Sequence, residues 1–246
     1  MADGQTHPAA RLRRVLLKLS GEAFSGEGSL GVESEPLRAI AREIVAARET
    51  GAEIAVVVGG GNFIRGARLA REKLIHRATA DQMGMLGTVM NGLALREVLT
   101  DLGQPARCMT AVEIPAVAEP FIRLRALRHM EKDRVVILAG GIGNPFFTTD
   151  TTAALRASEL ECDAVLKGTK VDGVYSADPK KDKAATRFDK ITFRDAISRK
   201  LGVMDLTALT MCEEQSIPVV VFDYTVPGAV RRVILGERVG TLVHPG

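Results

Sequence analysis

The chain of 246 residues contains no tryptophan, only two tyrosines and only three cysteines. So few aromatic rings argue against a stacking platform for single-stranded nucleic acid. The cysteines, Cys108, Cys162 and Cys212, are odd in number and far apart, and no pair has the spacing of a metal or redox motif. We therefore expect reduced thiols in a cytoplasmic protein.

Long apolar runs and an excess of one charge are also missing. No run reaches the roughly 18 apolar residues that a membrane span needs, and the polar residues 1–10 lack the apolar stretch of a signal peptide. The 33 basic and 30 acidic residues leave a net charge of +3, which is not the footprint of a nucleic-acid-binding protein. We expect neither a membrane nor a nucleic acid as partner, so any attraction for anions must be local.

What the chain does contain is an alternation of short apolar runs with helical patterns. A continuous apolar run such as 53–58 is typical of a parallel strand covered on both faces. The alternation predicts an α/β fold, a three-layer αβα sandwich with a mainly parallel central sheet. Further short strands are predicted at 164–166 and, at an edge of the sheet, at 241–243. We predict a disordered tail over residues 1–11 and a single domain over 12–246.

Two of the apolar runs end in glycines. Gly59-Gly60-Gly61-Asn62 follows residues 53–58, and Gly140-Gly141-Ile142-Gly143 follows residues 135–138. Glycine lets backbone amides approach an anion closely, and a helix N-terminus placed there adds free N–H groups. Two such turns indicate a site that holds two phosphate groups, as phosphoryl transfer requires. Because no Gly-Lys-Ser/Thr sequence occurs, such a transfer would proceed without a P-loop.

Each candidate side chain has a structural and a functional interpretation. Lys18 ends the first strand, where its ammonium could neutralise a transferring phosphate or simply extend to water. Arg65 could grip phosphate or be a solvated surface arginine. Asp81 could bind ribose hydroxyls or complement a helix dipole. The segment Thr148-Thr149-Asp150 suits a helix N-cap, but its hydroxyls and amides would also suit a phosphate or a base edge. Asp205 suits a helix N-cap, and the spacing does not show whether it orients Lys18.

A series of motifs resembles the bacterial UMP kinases of the amino acid kinase superfamily. The motifs occur in order and cover nearly the whole chain from about residue 12. They are Lys18-Leu19-Ser20-Gly21-Glu22-Ala23, Val57-Val58-Gly59-Gly60-Gly61-Asn62, Asp81-Gln82-Met83-Gly84-Met85-Leu86, Met90-Asn91-Gly92-Leu93-Ala94, Gly143-Asn144-Pro145-Phe146-Phe147-Thr148-Thr149-Asp150, Thr169-Lys170-Val171-Asp172-Gly173-Val174, Val203-Met204-Asp205-Leu206 and Pro227-Gly228-Ala229. One departure is Ile142, which stands where this family usually has a small polar residue.

The resemblance implies in-line transfer of the γ-phosphoryl group of Mg-ATP to UMP, giving UDP and ADP, in pyrimidine nucleotide biosynthesis. It implies that Mg²⁺ is held mainly by phosphates, with no metal ligand from the protein. The residues it implies for catalysis are Lys18, Arg65, Asp150 and Asp205. Those it implies for ATP are Lys18, Leu19, Ser20, Gly21, Gly61, Arg65, Thr169, Tyr175 and Asp178. Those it implies for UMP, mainly from the N-terminal part, are Gly60, Asp81, Ile142, Gly143, Asn144, Pro145, Phe146, Phe147, Thr148 and Thr149.

Assembly and regulation are also implied by the resemblance alone. The family is typically a homohexamer that GTP activates and UTP inhibits, so we expect an allosteric enzyme. Two other functions stay open at this stage. One is another amino acid kinase acting on carbamate, glutamate or aspartate; the other is a regulator that senses uridine nucleotides, to which the basic segment 123–132 could contribute.

Overall fold

A computed structural model describes residues 11–26, 29–64, 74–179 and 181–246. Among them, nine strands form one sheet. The strands are β1 (Arg14–Leu19), β2 (Glu53–Val58), β3 (Ala106–Thr110), β4 (Glu119–Pro120), β5 (Val135–Ala139), β6 (Ala164–Thr169), β7 (Lys190–Thr192), β8 (Val219–Asp223) and β9 (Thr241–His244).

Seven α-helices are described along with one short 3₁₀ helix (Gly21–Phe24). The α-helices are α1 (Ser34–Arg48), α2 (Arg77–Asp101), α3 (Arg123–Met130), α4 (Thr149–Glu159), α5 (Phe193–Ser198), α6 (Leu206–Glu214) and α7 (Ala229–Ile234). None of these helices is both long and apolar enough to cross a membrane.

The strand order is β4-β3-β5-β2-β1-β6-β8-β9-β7. Every neighbouring pair is parallel except β8 with β9. Strand β1 lies at the centre between β2 and β6, with Lys18 opposite Val57 on one side and Lys167 on the other. The carboxyl ends of these strands therefore meet at one edge, where ligands of open α/β sheets bind.

The two faces of the sheet are covered by different helices, which gives the three layers. Successive side chains of a strand point to opposite faces, so Leu17 and Leu19 pack with α1, α2 and α7. Leu16 packs on the other face with α3, α4, α5 and α6. Because the central strands are covered on both sides, they are apolar along nearly their whole length.

The α/β fold with a mainly parallel sheet confirms the sequence prediction, but the predicted edge strand is wrong. Strand β9 pairs with β8 on one side and with β7 on the other, so β7 forms the edge. A strand of three residues carries too little pattern to be recognised in a sequence. Strand β6 also runs on to Thr169, three residues beyond the predicted 164–166. The predicted tail falls almost entirely on residues outside the described part.

Candidate active site

A buried ion cluster lies at the carboxyl edge of the central strands. Lys18 on β1 and Lys167 on β6 are in register, so their side chains leave the same face of the sheet side by side. Asp150, in the first turn of α4, lies between them. Its Oδ1 is 2.8 Å from the Nζ of Lys18, and its Oδ2 is 2.7 Å from the Nζ of Lys167. One carboxylate thus fixes two ammonium groups whose remaining protons can face an anion.

Burial and charge act in opposite directions on this cluster. Burial by itself would raise the pKa of the Asp150 carboxyl, but Lys18 and Lys167 together outweigh it and hold that pKa below its ordinary value. Burial lowers the pKa of Lys167, and Asp150 opposes that shift. The Nζ of Lys167 also donates to the backbone oxygen of Val203, which ties it to the loop before α6.

Lys167 is a site residue that the sequence analysis missed. The predicted strand ends at Leu166, one residue before Lys167, whereas the observed strand runs on to Thr169. A lysine within an otherwise apolar strand, just before Gly168, was the signal that could have drawn attention to it. Lys167 and Lys18 are far apart in the sequence, so the sequence alone does not show that their strands are neighbours.

Asp205 joins two helix N-termini. It caps α6, where its Oδ1 accepts from the N–H of Ala208 at 2.9 Å. Its carboxylate also accepts from the hydroxyls of Thr148 and Thr151. Thr148 in turn caps α4, whose first turn contains Asp150. Asp205 is thus connected to Lys18 indirectly, because it contacts Thr148 at the start of helix α4, and Asp150 of that helix contacts Lys18.

The first glycine turn (59–62) and the second glycine turn (140–143) lie at the same edge of the sheet. A Cβ atom on Gly60 would come within 2.4 Å of the backbone oxygen of Gly84. Gly140, Gly141 and Gly143 have φ values of 75°, 58° and 87°, which favour glycine. Both turns therefore need glycine, the first for close packing on α2 and the second for its backbone conformation.

A first cavity, of about 310 Å³, lies between these turns and helix α2. It includes seven of the ten residues implied for UMP, together with Gly61. These seven are Gly60, Asp81, Ile142, Asn144, Phe147, Thr148 and Thr149. The other three, Gly143, Pro145 and Phe146, belong to the same segment but do not line the cavity.

Asp81 holds this segment in place. Its carboxylate accepts from the Nε of Arg77 at 2.8 Å and from the backbone N–H of Phe146 at 2.8 Å. Phe146 has a φ of 74° and an exposed side chain. A non-glycine residue at positive φ stores strain, which is common at ligand-binding segments. Asp81 therefore does more than complement a helix dipole.

A second cavity, of about 600 Å³, lies beside Lys167 of the ion cluster. Thr169, Tyr175 and Asp178, three of the residues implied for ATP, all line it, as does Lys167. The hydroxyl of Tyr175 donates to the carboxylate of Asp172 at 2.7 Å. Lys167 of the ion cluster thus lines the second cavity, while Thr148 and Thr149, next to Asp150, line the first.

The remaining implied ATP residues begin at the end of β1. Leu19 has a buried side chain in the core, so only its backbone could face a ligand. Ser20 occupies the N-cap position of the 3₁₀ helix, and Gly21 begins that helix. Arg65 lies outside the described residues.

Comparison with known proteins identifies the family. The model of the amino acid kinase family matches residues 13–223. A protein named uridylate kinase from Azorhizobium caulinodans is 54% identical over 238 residues, which are 97% of this chain and 100% of that protein. The chain belongs to the uridylate kinases of the amino acid kinase family.

Other uridylate kinases match almost the whole of this chain. The chloroplastic uridylate kinase PUMPKIN of Arabidopsis thaliana is 50% identical over 98% of this chain and 71% of its own length. The crystal structure of UMP kinase from Bacillus anthracis has a TM-score of 0.93 at 43% identity, covering 96% of this chain and 97% of its own. These matches confirm the family and the fold that the motifs predicted.

Proposed function

We propose that this chain transfers the γ-phosphoryl group of ATP to UMP, giving UDP and ADP. The observation that carries the proposal is the Lys18–Asp150–Lys167 cluster, in which Lys167 lines one cavity and Asp150 follows Thr148 and Thr149 of the other. The names of the relatives point to the same reaction, since they are called uridylate or UMP kinases. The rival amino acid kinases and the regulator have no comparable observation in their favour.

The cluster suits in-line transfer without a covalent intermediate on the protein. The transferring phosphoryl group carries negative charge on its outer oxygens, and catalysis consists mainly of positioning and charge neutralisation. Two fixed ammonium groups supply that neutralisation in a site partly withdrawn from water. Asp150 keeps both in place, so we assign it a positioning role and give Lys18 the contact with the phosphoryl group. Arg65 would add a further cation.

In this proposal each of the two cavities takes one nucleotide. The first cavity would take UMP, with its phosphate on the first glycine turn, its ribose on Asp81 and its base along segment 142–149. The second cavity would take ATP, with adenosine on Thr169, Tyr175 and Asp178. We propose that the acceptor binds mainly to the N-terminal part and the donor mainly to the C-terminal part of one domain over residues 12–246.

We propose Mg²⁺ as the ion that accompanies ATP. Within the described ranges, no three His, Cys, Asp or Glu side chains form a group that could hold a metal. The Asp150 carboxylate is already shared between two lysines. Mg²⁺ binds readily through substrate phosphates with few protein ligands. The residues present therefore suit an ion that enters with the nucleotide and neutralises its phosphate charge.

Assembly, regulation and location are further parts of the proposal. Leu86 and Met90 are large, exposed and one turn apart on α2, which suits an interface between subunits of a homohexamer. We keep GTP activation and UTP inhibition as expectations from the family. The three cysteines are buried free thiols, which fits a cytoplasmic location.

The first experiment is an assay of ADP formation with Mg-ATP and a panel of UMP, CMP, dUMP, carbamate and glutamate. Turnover with UMP and little with the two acids is the expected result. Turnover with an acid and none with UMP would retain the family and overturn the substrate. No turnover with any acceptor would favour the nucleotide-sensing regulator.

A further inference from the structure

Two asparagines form a buried side-chain pair beside the first glycine turn. Asn91 on α2 is fully buried, and Asn62 at the end of the turn is 2% exposed. Each amide donates to the other, at 2.8 Å from Asn91 Nδ2 to Asn62 Oδ1 and at 3.0 Å in return. Burying two amides is costly unless their hydrogen bonds are satisfied, so a pair at this place needs a reason.

The second hydrogen bond of each amide reaches a loop. Asn91 Nδ2 also donates to the backbone oxygen of Gly59 at 2.7 Å, and Asn62 Nδ2 donates to that of Gly31 at 2.7 Å. Asn91 thus holds the beginning of the first glycine turn, and through Asn62 it holds the end as well. Helix α2 is the rigid element to which the turn is fastened at both points.

The same pair touches the turn after β1. A Cβ atom on Gly21 would come within 2.5 Å of Asn62 Oδ1 and within 2.5 Å of the backbone nitrogen of Gly61. The N–H of Gly59 donates to the backbone oxygen of Leu19 at 2.8 Å. The first glycine turn and the Ser20–Gly21 turn are therefore in contact, and a shift of Asn62 would disturb both.

Helix α2 reaches the second glycine turn in a similar way. Thr88, one turn before Asn91, is buried, and its hydroxyl accepts from the N–H of Gly140 at 2.7 Å while donating to the backbone oxygen of Met85. One face of a single helix thus carries hydrogen-bonding groups for both glycine turns. Such a face would be apolar if it served packing alone.

We infer that the Asn62–Asn91 pair is a positioning device that sets the place of the acceptor phosphate relative to the donor phosphates. The inference rests on the proposed function, because it takes the first glycine turn as the acceptor phosphate site. Neither asparagine needs to touch a nucleotide. Their role is to fix the turn so that the reacting oxygen lies in line with the γ-phosphoryl group.

The test is a double-mutant cycle of Asn62→Ala, Asn91→Ala and the double variant. A misplacement of about 1 Å in a reacting group can cost about 100-fold in rate. We expect each single variant to lose about that much in kcat with UMP, with a smaller change in the KM for ATP. Since the two amides act as one unit, the double variant should lose little more than either single variant.

Leu99→Ala provides the matched structural control. Leu99 is fully buried on the same helix but packs in the core, where it contacts neither turn through hydrogen bonds. Its truncation should lower Tm and leave kcat within about twofold at a temperature where the protein stays folded.

The outcomes separate the two proposals. If wild-type protein does not phosphorylate UMP, the proposed function fails. If wild type does and the asparagine variants match Leu99→Ala in kcat, or their losses multiply independently, only the positioning role fails. Failure of both single variants to fold while Leu99→Ala folds would make the pair a structural element and would also overturn the inference.

Discussion

Replacement of Asp150 by asparagine should destabilise the protein far more than an ordinary loss of an ion pair. The carboxylate lies 2.8 Å and 2.7 Å from two ammonium groups, and all three side chains are at most 14% exposed. Removing one partner from a buried ion pair costs about 3–5 kcal/mol, because the remaining charge is left without compensation. For a chain of this size, about 2–4 °C per kcal/mol then predicts a fall in Tm of about 6–20 °C.

The effect should depend on pH with a defined sign. The pKa of Asp150 is lower in the folded protein than its ordinary value of 3.8, so the unfolded chain binds this proton more readily. The stabilisation is therefore complete above that ordinary value and is lost as the pH falls through the lower folded pKa. The stability gap between wild type and Asp150→Asn should stay constant from about pH 7 to about pH 5 and shrink below the ordinary pKa.

Denaturant unfolding of both proteins across this pH range measures the gap. Glu237→Gln is the control, because its 2.6 Å ion pair with Arg232 is nearly half exposed on both sides. Such a surface pair contributes at most about 1 kcal/mol. Equal losses for the two variants at neutral pH, or a gap for Asp150→Asn that widens in acid, would refute the reasoning.

Three further predictions concern other parts of the molecule. Lys18→Ala should lower kcat far more than it weakens nucleotide binding in calorimetry; equal losses would contradict its role at the phosphoryl group. Gly60→Ala should lower Tm, because its Cβ would meet a backbone oxygen at 2.4 Å, whereas Gly61→Ala, with open space around its Cβ, should change Tm by at most about 2 °C. Burial raises the pKa of Cys162 to about 12, so alkylation at about pH 8 should be much slower in the native than in the unfolded protein; equal rates would show that the thiol is accessible.

Much of the fold follows from local sequence pattern. Continuous apolar runs mark the parallel strands because both faces of the sheet are covered, and glycines mark the turns because backbone must approach backbone there. The N-caps formed by Thr148 and Asp205 are equally local, since a capping side chain bonds amides two or three residues away. The order of the motifs was sufficient to predict the family.

The composition of the site depends on strand order, which no local pattern contains. Lys167 lies beside Lys18 only because β6 is the neighbour of β1 and their register matches the two lysines. Asn91 meets Asn62 only because α2 packs across the first glycine turn. By itself, the sequence determined the longer strands, the glycine turns and the chemistry available at their ends, because these depend on residues close together in the chain. The tertiary structure decided which distant side chains form the ion cluster and which form the asparagine pair, because that depends on how the strands and helices are arranged in space.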